Sequence, residues 1–310
     1  MTTLICGSFA YDTIMVFNGH FKDHILPEQI HILNVSFMVP NLRREFGGCA
    51  GNISYNLKLL NLDSIPMGTV GNDFSPYANW LNKQAISCNH VKIIDTAYTA
   101  QAYITTDQGD NQITAFHPGA MNYSHLNQVN DVNDVTLGMV SPDGRQGMIE
   151  HANQFAEAGV PFIFDPGQGL PMFNSDELNR FIAQAKYLAL NDYEAKLMQE
   201  RTGKTPEQLA REMIAVIVTR GSEGSLIFTN ERCYEIPPAP VNSINDPTGC
   251  GDAYRAGIVY GIIHQLDWDV TGRIAGLLGS IKIEHPGTQN HYFTFDELQQ
   301  RFKTAYGFNL

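Results

Sequence analysis

The sequence is short of positive charge. Lys and Arg together number 20 against 32 Asp and Glu, a formal net charge of -12. Proteins that grip a nucleic-acid backbone present a basic surface, so no nucleic-acid partner is expected. A small phosphate remains possible as a ligand, because a helix N-terminus can hold one through backbone N–H groups alone. Long apolar runs are also lacking. They reach about 4–8 residues, against the roughly 20 needed to cross a bilayer, so no membrane partner is expected. The opening MTTLICGSFAYD has neither a basic n-region nor an extended apolar stretch, which argues against a signal peptide. The cysteines are Cys6, Cys49, Cys88, Cys233 and Cys250, an odd number with no CxxC pair. Free thiols in a reducing, cytoplasmic setting follow as the expectation.

What is present is a globular balance, 43% apolar and 17% charged residues. TTLIC at 2–6 reads as a buried strand. IMVF (14–17) and IHILNVSF (30–37) read as strands with one exposed face, and YTAQAYIT and QITAF flank the turn-like DQGDN as a hairpin. From about residue 135 strands and helices alternate, with strands ending at Asp165, Asn191 and Gly221. That order predicts an α/β fold, a mostly parallel sheet covered on both faces. A small β lid from inserts near 14–37 and 98–116 would complete a single domain over 1–310. In such sheets ligands bind beyond the carboxyl ends of the strands.

The sharpest segment is Asp246-Pro247-Thr248-Gly249-Cys250-Gly251-Asp252, which feeds directly into the helical run AYRAGIVYGIIHQL. It lacks the GKS/T ending of a Walker A loop, and it comes too late for a dinucleotide fingerprint. Its glycines allow close approach of a phosphate to a helix start. Asp252 has two readings: a helix-start acid that suits the dipole, or a general base that takes a proton from a substrate hydroxyl. Gly47-Gly48-Cys49-Ala50-Gly51-Asn52 is a second glycine-rich helix start, read either as close packing or as a sugar site in which Asn52 donates and accepts. Asp12 is a loop aspartate or a carboxylate that grips two vicinal hydroxyls. Asn191 and Glu194 form a capping box or lie near a hydrated Mg²⁺.

Together these segments resemble the ribokinase-like (PfkB) family of carbohydrate and nucleoside kinases, over essentially the whole chain. GGCAGN and DPTGCGD match its two signatures in the right order. The resemblance implies a three-layer α/β/α sandwich with a β-sheet lid, ATP and Mg²⁺ as cofactors, and a small-molecule substrate. It implies that Asp252 is the catalytic base and that the Gly249, Cys250 and Gly251 amides form an anion hole. Asp12, Gly48 and Asn52 would hold a ribose-like substrate. Asn191, Glu194, Thr219 and Gly221 would line the ATP site, with Glu194 reaching Mg²⁺ through water and residues 275–287 around adenine. K⁺ or another monovalent cation would sit near Asp246 and Glu284–Gly287.

The sequence departs from the family pattern at Ala10, where ribokinases usually carry Asn, at Cys250 for Ala and at Pro247 for Thr. GSFAYDTIM and TAFHPGAM are similar to bacterial adenosine and nucleoside kinases of the family. That likeness implies transfer to the 5′-hydroxyl of a nucleoside, adenosine first. Phe17, Phe37, Met38 and Phe116 would then be available to stack on a base, or would serve ordinary lid packing. Gln101 and Gln112 would read base edges. The alternatives are a ribokinase- or fructokinase-like sugar kinase and a non-catalytic nucleoside- or sugar-binding regulator. A monomer and a homodimer paired through its lids are both compatible with the sequence.

Overall fold

Successive residues of a strand face opposite sides of a sheet, and the first strand shows the consequence. Leu4 and Cys6 enter one buried cluster and Ile5 enters another. Val216 and Val218 separate from Ala215 and Ile217 in the same way. A strand apolar on both faces needs helices on both sides, so the β-branched runs of this sequence become the middle of three layers.

The computed structural model describes residues 2–25, 31–32, 34–109 and 111–310. Its strands are β1 (Thr2–Cys6), β2 (Ala10–Val16), β3 (Asn41–Gly47), β4 (Ser64–Gly71), β5 (Val91–Ile94), β6 (Ala100–Thr106), β7 (Gln112–His117), β8 (Val135–Val140), β9 (Phe162–Phe164), β10 (Tyr187–Asn191), β11 (Ala215–Thr219), β12 (Ser225–Phe228) and β13 (Cys233–Ile236). The helices are α1 (Cys49–Leu59), α2 (Ser75–Lys83), α3 (Arg145–Glu157), α4 (Ser175–Gln184), α5 (Asp192–Thr202), α6 (Pro206–Leu209), α7 (Cys250–Ile263), α8 (Trp268–Ile283) and α9 (Phe295–Tyr306).

The main sheet has the order β13-β12-β11-β10-β9-β8-β1-β4-β5. It is parallel from β11 to β5 and ends in the antiparallel pair β12 and β13. Helices α3, α4 and α5 pack one face through Phe155, Phe181 and Met198. Helices α1, α7 and α8 pack the other through Ile53, Val259 and Ala275. The chain leaves β1 toward β4 on one side and later returns to β8 on the other, so the strand order reverses there. Crevices at such a switch point receive ligands.

A second sheet, β3-β2-β6-β7, stands apart from the first. Strand β3 lies at 41–47, not in the run IHILNVSF at 30–37. Residues 34–37 are irregular, and Ile30 and Leu33 lie outside the described residues. Among the described residues of that run, Phe37 packs in an aromatic cluster, 4.9 Å from both the Phe17 and Phe21 rings. Strand β3 carries little sequence signal because most of its residues, NLRREFG, are exposed.

Candidate active site

Helix α7 begins with Gly249 at φ +79°, a left-handed conformation suited to glycine, and a Cβ there would lie 3.1 Å from Thr288. Asp252 falls in the first turn, half-buried. The Nδ2 of Asn52 in α1 donates to its Oδ2 at 2.7 Å, across 200 residues of chain. Burial pushes the Asp252 carboxyl up to about 6, against the lowering effect of the Asn52 hydrogen bond, and the Asp165 carboxylate adds to the rise.

The Asn52 amide has a fixed orientation, traceable to a group that can only donate. The Trp80 indole N–H donates to Gln289 Oε1 at 2.8 Å. Gln289 therefore turns its Nε2 toward Asn52 Oδ1, 2.9 Å away, and toward the Tyr77 hydroxyl, 2.6 Å away. Tyr77 in turn donates to the Gly47 carbonyl at 2.9 Å. With its oxygen engaged, Asn52 presents N–H to the carboxylate. Trp80, Tyr77 and Gln289 were not legible as site residues, since each is isolated in sequence.

Gly48 takes φ +89°, and a Cβ on it would meet Ser8 O at 2.5 Å and Phe9 Cα at 2.6 Å. Its glycine is required by the crossing of α1's start over the β1–β2 turn. Asp12, in the neighbouring β2, is half-buried. Burial, reinforced by the Asp246 and Glu45 charges, pushes its carboxyl up to about 6, and no hydrogen bond among the described residues offsets that rise. A Cβ on Gly47 would lie 2.6 Å from Asp12 Oδ2.

Strand register sorts the expected substrate residues. Glu45, Asp12, Ala102 and Phe116 are lateral partners across the small sheet and share one face. Gln101 pairs with Tyr11 and His117, which places it on the opposite face, where its Nε2 donates to Thr13 Oγ1 at 2.6 Å. The structure thus groups Asp12 with Phe116 and separates Gln101 from both.

Beyond the carboxyl edge of β9 and β10 lies an acidic group around one cation. Arg255, one turn after Asp252, donates through Nε and an Nη to Asp165 Oδ1 at 3.2 and 3.1 Å. Burial opposes the Arg255 charge, and Asp165, Glu194 and Asp252 more than restore it. Burial also raises the Glu194 carboxyl, with Asp165 adding to the effect. Asn191 and Glu194 do form the capping box: the Asn191 N–H and Nδ2 donate to the two Glu194 oxygens at 2.8 and 2.9 Å. With both oxygens engaged, Glu194 suits a water-mediated contact to Mg²⁺, an ion that tends to keep its waters. Thr219 ends β11, and Gly221 follows at φ +55° with open space around its Cα.

One amide expected in the anion site is already engaged, since Cys250 N–H donates to Pro247 O at 3.2 Å. Asp246 accepts from the Thr248 and Gly287 amides at 2.9 Å each. Burial works to raise its carboxyl, but those two amides, joined by the Thr248 side chain and the Lys282 charge, outweigh it and hold it below the ordinary carboxylate range. No helix among the described residues is long and apolar enough to cross a membrane.

The profile of the pfkB family of carbohydrate kinases matches residues 13–294. A nucleoside kinase of Methanocaldococcus jannaschii is 30% identical over 272 residues, spanning 87% of this chain and 89% of that protein. The structure of Burkholderia thailandensis nucleoside kinase in complex with inosine aligns with a TM-score of 0.91 at 49% identity, over 99% of both chains. The ADP-inosine complex of the same protein aligns with a TM-score of 0.88 at 51% identity, over 99% of this chain and 97% of that one. With a match covering most of its length, the chain belongs to the pfkB family of carbohydrate kinases and is an ATP-dependent kinase of a nucleoside or sugar.

Proposed function

We propose that this kinase phosphorylates the 5′-hydroxyl of a purine nucleoside, with adenosine and inosine the leading substrates. The observation that carries the reading is the Asn52–Asp252 pair at the start of α7. Asn52 holds the carboxylate through Oδ2, the Cys49 thiol adds a contact, and the carboxylate takes the proton of the attacking hydroxyl. A carboxyl raised to about 6 is ionised at neutral pH and is a better base than an ordinary aspartate. As the proton passes to Asp252, the hydroxyl oxygen bonds to the terminal phosphorus of ATP and the bond to ADP breaks. ATP supplies the phosphoryl group, and Mg²⁺, held through water by Glu194, would supply charge neutralisation when bound.

The amides of Gly249 and Gly251 at the helix start stabilise charge on that group. Asn191, Glu194, Thr219 and Gly221 line the ATP side at the carboxyl edge. Asp12 accepts hydrogen bonds from the ribose hydroxyls, and Phe116 on the same face of the small sheet lies against the base. Alanine at position 10 removes a polar contact to a free sugar, which favours a substrate held partly through its base.

A panel of nucleosides, free sugars and sugar phosphates, read by ADP release with ATP and Mg²⁺, tests the reading. Adenosine or inosine is expected to give the highest kcat/KM. Ribose, fructose or a sugar phosphate exceeding every nucleoside by a wide margin would overturn it.

A further inference from the structure

Lys282, in the last turn of α8, is fully buried. A buried ammonium is costly unless hydrogen-bonded and balanced by opposite charge. Its Nζ donates to the Asp246 carbonyl at 2.7 Å and to the His285 carbonyl at 3.0 Å. These carbonyls belong to two separate loops. The first runs into Gly249–Asp252. The second carries Gln289, which orients Asn52. The Asp246 carboxylate spans the same junction by accepting from Thr248 and Gly287.

Main-chain carbonyls converging on a single positive charge form the surroundings that an alkali cation also seeks. The expectation of a free monovalent cation at Asp246 and 284–287 does not fit this arrangement. A second cation there would meet the ammonium and also Arg43, whose Nη lies 3.5 Å from Asp246 Oδ2.

We propose that Lys282 is a tethered monovalent cation, whose ammonium cross-links the two loops and so positions the anion site and Gln289 without a free ion. It is a positioning residue, since it acts through the loops and does not touch the reacting atoms. The proposal relies on the kinase reading only for its activity measurement. Thermal stability reports on it independently.

Wild-type rates and melting temperatures are compared in sodium, potassium, ammonium and tetramethylammonium chloride at fixed ionic strength, beside Lys282→Ala and Lys282→Met. Wild type should vary by less than about twofold in rate. Lys282→Ala removes the charge and leaves room for an ion. Its kcat should fall about 100-fold, the scale of a small misplacement of catalytic groups. Potassium or ammonium should restore at least about tenfold of that loss and raise the variant's melting temperature. Tetramethylammonium, too large for the space, should do neither.

Three results would overturn the proposal: wild type activated severalfold by potassium over tetramethylammonium, a Lys282→Ala protein with unchanged kcat, or a folded, impaired variant that ignores every cation. If Lys282→Ala does not fold, Lys282→Met, which keeps the bulk of the stem, should show the same loss of kcat. Normal kcat in Lys282→Met would contradict the proposal. Should neither variant fold, the wild-type comparison decides: equal rates support the tethered cation and potassium activation rejects it.

Discussion

At the scale of single residues, two carboxyls share one abnormal property by different routes. Asp252 and Asp12 are both pushed up to about 6, chiefly by burial. The roles proposed for them both require the charged form, so kcat/KM should rise with pH and level off above a midpoint near 6. Asp12→Asn should lower kcat/KM through weaker nucleoside binding yet keep an acid limb, because Asp252 still titrates. A flat profile from pH 5 to 8 in the wild type would contradict the assignment. The effect on stability has the opposite sense. A carboxyl raised from 3.8 to about 6 binds its proton more tightly when folded, so its contribution to stability is lost as pH rises through that interval. The site is thus least stable where it is most active, a common tension in functional sites.

At the scale of elements, the proposed base, Asp252, is set by a chain of contacts linking α2, the loop before α9, α1 and α7. Trp80 supplies one fixed polarity in that chain, because an indole nitrogen cannot accept, and the Gly47 carbonyl, which can only accept from Tyr77, supplies a second. Trp80→Phe removes one of the anchors of the Gln289 amide and should loosen its hold on Asn52. The expected loss is about 5- to 30-fold in kcat, the scale of one buried hydrogen bond of ~1–2 kcal/mol, with a smaller change in nucleoside affinity. Unaltered kcat by steady-state kinetics would show that Asn52 keeps its orientation without help.

This network also marks where sequence reading stops. DPTGCGD is legible because its turn, anion site and carboxylate are consecutive. Asn52 is legible because it follows a glycine pair at a helix start. Gln289 and Trp80 are polar groups with no local pattern, and their meaning arises only when distant elements meet. Lys282 did leave a signal, a charge inside the apolar stretch GSIKI. Strand β3 left little, since an exposed strand needs no apolar alternation, and Phe37 gave a false one because its aromatic neighbours, not a sheet, account for its burial. Gln101 illustrates register: a shift of one residue along β6 moves a side chain to the other face.

At the scale of the whole molecule, the central strands bring Asp165 and Asn191 to one edge, and α1 and α7 aim their starts at it. The small sheet contributes Asp12 from the other side. In the function proposed above these groups make one phosphoryl-transfer site, in which Asp252 is asked to do chemistry and the surrounding groups to hold substrates. The replacement Asp252→Asn keeps the shape and an acceptor for Asn52 but cannot take up the proton efficiently. Its kcat with the best nucleoside, measured beside calorimetric binding of nucleoside and ATP, tests the account most directly. The prediction is a fall in kcat of ~10²–10⁴-fold with both affinities close to those of the wild type. A variant retaining more than about a tenth of wild-type kcat would contradict it, leaving Asp252 as a helix-start acid and the base to be sought elsewhere.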